Sequence, residues 1–147
     1  MSDSVSDYGK GIIEVDDIAN SPHGGDQKFV LLRILIAEDE ESLATLYKVL
    51  LSKFGYEVID VVRSGEEAIA RYAKTKPDVV IMDHRLERKS GLDALKEILK
   101  IDPKAIVIFA SADDSVMEDA IAAGAADYIA KPFSMQELVE VIGRCVA

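Results

Sequence analysis

Hydrophobic and polar positions fall into a rhythm that begins near Leu31. LLRILIA (31–37) is a short apolar run. SLATLYKVLLSKF (42–54) follows, with Leu43, Leu46, Tyr47, Leu50, Leu51 and Phe54 spaced along one helical face. YEVIDVV predicts a strand, and SGEEAIARYAKT a helix opened by Ser64 and Glu67 at capping-box spacing. DVVIM is a third strand, and SGLDALKEILK a helix with Leu92, Leu95, Ile98 and Leu99 apolar. AIVIFA is a fourth strand, followed by DSVMEDAIAAG, a helix closed by Gly124. DYIA is a short fifth strand. SMQELVEVIGRCV is the last helix, with Ser134 and Glu137 as a second capping box and Cys145 on its apolar stripe.

Five strands alternating with five helices predict a parallel sheet covered on both faces, of the doubly wound α/β class. The strands are apolar throughout rather than alternating, as double coverage requires. Right-handed crossovers then bring the loops after all five strands to one edge, which is where such sheets bind ligands. The first thirty residues differ. They carry six acidic and two basic residues, and NSPHGGDQ is turn-rich. GIIEV could pair as a strand, but a flexible acidic extension over 1–30 ahead of a domain at 31–147 is the expectation.

Composition narrows the function. The formal charge is −10, which argues against nucleic acid or an anionic membrane as the main partner. One cysteine allows no internal disulfide and suits a reducing compartment. His23 and His84 lie far apart with no ligand-spaced cysteine or histidine beside them, so a zinc site is not expected. MSDSVSDYGK lacks the apolar segment of a signal peptide, and no run approaches the ~18 apolar residues of a membrane span. A soluble, cytoplasmic protein is expected.

The strand ends carry the chemistry. Glu38 and Asp39 follow the first strand, Asp83 the third, Ser111 the fourth, and Lys131 with Pro132 the fifth. Taken singly these residues have ordinary explanations, such as a helix N-cap for Ser111 or an acidic first helical turn for EDEE. Together, in one five-strand rhythm, they resemble the receiver domain of two-component response regulators over roughly residues 31 to 147. Tyr128 matches that family's aromatic switch position and Gly91 its loop glycine. Two departures stand out: Glu87 replaces the usual proline four residues after the aspartate, and Glu38 replaces the commoner Asp.

The resemblance implies the flavodoxin-like (βα)5 fold with strand order 2-1-3-4-5. It implies Asp83 as phosphoacceptor, served by Lys131 and Ser111, with Ser111 and Tyr128 as the switch pair. It implies Mg²⁺ (Mn²⁺ possible) held by Glu38, Asp39, Asp83 and the backbone carbonyl of Arg85. Arg85 and Asp113, each two residues past its anchor, would tune the lifetime of the phosphorylated form. A sensor histidine kinase would be the donor. A downstream protein would dock on the face of the fourth helix, fifth strand and fifth helix, with no nucleic acid or membrane involved. Because the chain ends with its fifth helix, a stand-alone regulator without an enzymatic domain is expected, active only in its own phosphorylation and dephosphorylation. The alternatives are a phosphorelay intermediate feeding a histidine phosphotransfer protein, and a receiver-like scaffold that is never phosphorylated.

Other readings fit less well. A haloacid-dehalogenase-type phosphatase needs an acid two residues after its nucleophile, and that position is Arg85. A flavodoxin needs a phosphate-cradling loop after the first strand, where EDEE would repel the ligand. A Rossmann dinucleotide site needs a glycine-rich fingerprint that the chain lacks.

Overall fold

The computed structural model of the chain describes residues 12–14 and 29–147. The elements run β1 (Ile12–Glu14), β2 (Phe29–Leu31), β3 (Arg33–Ala37), α1 (Glu41–Lys53), β4 (Glu57–Val62), α2 (Gly65–Thr75), β5 (Val79–Asp83), α3 (Gly91–Ile101), β6 (Val107–Ser111), a 3₁₀ turn (Asp114–Val116), α4 (Met117–Ala123), β7 (Asp127–Ala130) and α5 (Met135–Val146). The five-stranded sheet has the order β4-β3-β5-β6-β7 and is parallel throughout, the predicted 2-1-3-4-5 counted over its own strands.

Strand periodicity divides the core into two layers. Leu35, Val80, Met82, Val107 and Phe109 face α2, α3 and α4. Ile34, Ile36, Val79, Ile81 and Ile108 face α1 and α5. Every residue of β5 and β6 is buried, which is why these segments read as unbroken apolar runs. Each large apolar side chain among them, such as Val79, Ile81, Met82, Ile108 and Phe109, contributes about 1.5–3 kcal/mol by leaving water.

Local signals set the helix ends. Ser134 and Glu137 close a full capping box on α5. At α2 Ser64 accepts from the Glu67 N–H, but the Glu67 carboxylate accepts from Arg63 N–H, one residue short of the reciprocal box that the spacing predicts. Gly124 ends α4 at φ +115, as expected of a glycine cap.

Two stretches differ from the pattern. LLRILIA is divided: Leu31 ends β2, which pairs antiparallel with β1, and only Arg33–Ala37 joins the main sheet. Ile12–Glu14, and Phe29 and Val30 of β2, thus form strands within the segment expected to be flexible, and residues 1–11 and 15–28 lie outside the described residues. Leu46, placed on the apolar stripe of α1 by its spacing, is 49% exposed, because Ala44, Tyr47 and Leu51 supply the buried face.

The sheet margins are β4 and β7, and each carries one aspartate held by the helix that follows. Asp60 lies 2.6 Å from Arg71 of α2 and accepts from the Val61 N–H. Asp127 lies 3.1 Å from Arg144 of α5 and accepts from the Tyr128 N–H.

Candidate functional site

The carboxyl ends of β3, β5, β6 and β7 converge because these strands are successive neighbours, ~4.8 Å apart. Glu38 leaves β3 buried, its N–H donating to the Val62 carbonyl at 2.9 Å. Asp83 is the last residue of β5 and is also buried. With half-buried Asp39, these two place carboxylate oxygens within 4.8 Å of one another. Lys131 enters from the end of β7, its Nζ 2.6 Å from Glu38 Oε1 and 3.4 Å from Asp83 Oδ2. The other Glu38 oxygen accepts from the Glu40 N–H at 3.2 Å.

Two carboxylates ~4 Å apart repel by about 4 kcal/mol at an effective dielectric of 20. One ammonium cannot neutralise three acids. The strain registers at Glu38: burial pushes its carboxyl above the ordinary value, contact with Lys131 pulls it back, and the charge of Asp83 raises it again. A cluster of hard oxygens with surplus negative charge suits a small divalent cation. The residues present therefore fit Mg²⁺, the ion that the resemblance implies.

Ser111 is the last residue of β6, the strand next to β5. It is buried, its Oγ accepts from the Asp113 N–H at 3.0 Å, and its carbonyl accepts from the Lys131 N–H. Tyr128 is turned inward: its hydroxyl donates to the carbonyls of Ser111 and Asp113, at 3.1 and 3.2 Å. Its ring stacks on Phe109, which in turn meets His84 at 5.9 Å between centroids. The Asp113 carboxylate is taken up by the N–H and hydroxyl of Ser115, which hold it below the usual range, and Arg85 and His84 add only through the longer-range field. Arg85 itself is exposed. Gly91 lies so close under Asp83 that a Cβ there would sit 1.9 Å from the Asp83 carbonyl oxygen.

The structure thus brings Glu38, Asp39, Asp83 and Lys131 together, with Ser111 at the neighbouring strand end and Tyr128 bonded to its carbonyl. Spacing did not reveal Tyr47, which reads as a core residue of α1. It is buried and stacked on Phe133, and burial, then the charges of Glu38 and Asp83, hold its phenol far above the ordinary range. Arg63 and Glu87 were also missed as partners, because backbone pairing between loops has no sequence period.

Comparison with known proteins agrees with this geometry. The family model of the response regulator receiver domain matches residues 34–143. The chemotaxis protein CheY of Thermotoga maritima is 40% identical over 114 residues, covering 76% of this chain and 95% of that protein. The CheY of Bacillus subtilis is 40% identical over the same coverage. Among solved structures, a response regulator receiver domain from Clostridium thermocellum aligns with a TM-score of 0.74 at 32% identity, covering 79% of this chain and 94% of that one. In fold alone, the CheX–CheY–BeF3–Mg complex of Borrelia burgdorferi aligns with a TM-score of 0.77 at 24% identity, over 80% of this chain and 91% of that one. In a parallel sheet of this order, with these acids, hydroxyl and lysine at its strand ends, the chain belongs to the response regulator receiver family.

Proposed function

We propose that the chain accepts a phosphoryl group on Asp83 from a histidine kinase and signals through the protein surface that this alters. The observation that carries the reading is the position of Asp83: it ends a fully buried central strand beside two further carboxylates and 3.4 Å from Lys131. A carboxylate is brought to the mouth of the core only at a cost in desolvation, and reactivity explains that cost better than stability does.

In the step itself an Oδ of Asp83 forms a P–O bond as the donor's P–N bond breaks, and the donor imidazole leaves with the electron pair. Glu38, Asp39, Asp83 and the Arg85 carbonyl would hold Mg²⁺, which would supply charge neutralisation to the phosphoryl oxygens and to the acids. Lys131 moves its charge from Asp83 to a phosphoryl oxygen. The Ser111 hydroxyl, whose oxygen already accepts from Asp113, donates its proton to another. Tyr128, already turned inward, holds the loop after β6 through its two carbonyl contacts. Arg85 and Asp113 stand at the rim, where they limit the approach of water.

The output surface is α4, β7 and α5. Met117 and Ile121, one helical turn apart on α4, are 43% and 46% exposed and offer an apolar contact. A receiver of this kind would work in the cytoplasm. Among the described residues no helix is long and apolar enough to cross a membrane.

The test is intact mass after incubation with acetyl phosphate, with and without Mg²⁺, beside Asp83→Asn. A Mg²⁺-dependent gain of one phosphoryl group, absent in the variant, is expected. No gain by folded wild-type protein would sink the reading in favour of a binding scaffold.

A further inference from the structure

Glu87 stands four residues beyond Asp83, at the position where proline is usual. Proline has no N–H, and here that N–H is used. It donates to the Arg63 carbonyl at 3.2 Å, in the loop between β4 and α2, while the Gly65 N–H donates to the Lys89 carbonyl at 3.1 Å. Ser64 and Glu87 thereby form an isolated parallel bridge. The side chains reinforce it: Arg63 Nε lies 3.3 Å from Glu87, and an Arg63 Nη lies 3.8 Å from Glu41 at the head of α1. A Cβ on Gly65 would come within 2.3 Å of the Lys89 carbonyl oxygen, so the two loops touch backbone to backbone.

Between the two bridging bonds the chain makes a three-residue turn. Lys89 N–H donates to the Glu87 carbonyl at 2.7 Å, and Arg88 sits at φ +63. A side-chain-bearing residue stays in that region only where its surroundings hold it. Because β4 and β5 are the two neighbours of β3, the bridge runs from one flank to the other of the strand that delivers Glu38 and Asp39. Both side chains of the Arg63–Glu87 pair are about half exposed, so the pair alone is weak and the backbone bonds carry the larger share.

From these contacts, and resting on the reading of Asp83 as a Mg²⁺-assisted phosphoacceptor, we infer that the loop between β4 and α2 is a positioning arm of the site. Arg63 and Glu87 are positioning residues. They clamp the segment from Asp83 to Gly91, so that the Asp83 carboxylate and the Arg85 carbonyl are already arranged when the metal arrives. Substituting Glu for Pro exchanges a stiff turn for a tethered one.

Three variants of the full chain separate the parts. Arg63→Ala and Glu87→Ala remove the ion pair and keep the amide; Glu87→Pro removes both. Mg²⁺ affinity is read by titration calorimetry, and amide hydrogen exchange over residues 84–90 is read in EDTA. Affinity is expected to fall roughly twofold for each alanine variant and roughly five- to tenfold for Glu87→Pro. Exchange over 84–90 is expected to quicken in all three before any metal is added. An unchanged metal-free Tm beside the weaker affinity distinguishes positioning from loss of fold. If Glu87→Pro does not fold, the two alanine variants decide. Folded variants that bind Mg²⁺ like wild type overturn the inference and leave the phosphoacceptor reading standing. A wild-type chain that takes up no Mg²⁺ overturns both.

Discussion

Lys131 is closer to Glu38, at 2.6 Å, than to Asp83, at 3.4 Å. Among the described residues a single ammonium is thus shared by the two buried acids, and it leans toward Glu38 rather than the proposed phosphoacceptor. Lys131→Ala leaves two buried carboxylates facing each other without a counter-charge. It is expected to cost about 3–5 kcal/mol in EDTA, and Mg²⁺ should restore part of the loss. Glu38→Gln should cost far less, because Lys131 keeps Asp83. Urea unfolding of both variants with and without Mg²⁺ checks this, and equal losses would show that the lysine is not the neutralising group.

The pH dependence of Glu38 has a definite sign. Burial is the largest influence and raises its carboxyl above the ordinary 4.5. Folding therefore favours the protonated form. Its contribution is complete below the unfolded value and is lost as pH rises through the higher folded one. Without divalent metal, Glu38→Gln should gain stability relative to wild type between pH 4.5 and neutrality. Unfolding free energies at the two ends of that range measure the difference, and a constant gap would contradict it.

Tyr128 holds two carbonyls with one hydroxyl. Tyr128→Phe keeps the stack on Phe109 and removes the donor, for an expected loss of about 1 kcal/mol. Amide exchange should quicken over residues 111–114 and stay unchanged in β3. Protection that is equal in both proteins would mean that the hydroxyl does not hold the loop.

Two glycines should respond in opposite directions. A Cβ at Gly91 would overlap the backbone of Asp83, so Gly91→Ala should destabilise by about 1–3 kcal/mol and reduce phosphorylation further than stability alone explains. At Gly143, in the interior of α5, a Cβ meets nothing within 4 Å. Gly143→Ala should stabilise by about 0.5–1 kcal/mol. Thermal unfolding of the pair, with the mass assay for Gly91→Ala, tests both.

The fold was legible in the sequence because a sheet covered on both faces needs uninterrupted apolar strands, and Val79–Met82 and Val107–Ala110 supply them. Parallel topology sends every strand end to one edge, so Asp83, Ser111 and Lys131 could be assigned to that edge from the chain, while their adjacency came from the strand order that the resemblance implies. Distances within that pocket were not legible. Whether Lys131 lies nearer Glu38 or Asp83 is set by side-chain conformations that no sequence period encodes. The Glu87–Arg63 bridge rests on main-chain groups that every residue but proline carries, so no pattern of side chains announces it. Leu46 shows the limit of periodicity: a helix laid on a sheet buries a narrow stripe, and the residue at its margin remains in water.

The aspartates on the outer strands have a further effect. Asp60 and Asp127 each accept the N–H of the next residue, a donor that an added strand would need, and each brings a charge to a margin that an intruding chain would have to strip of water. Arg71 and Arg144 hold them in that pose. The sheet is thereby protected against growing by recruitment. At high concentration, replacing both aspartates with valine should turn a chain that stays dispersed into one that stacks edge to edge into insoluble ribbons.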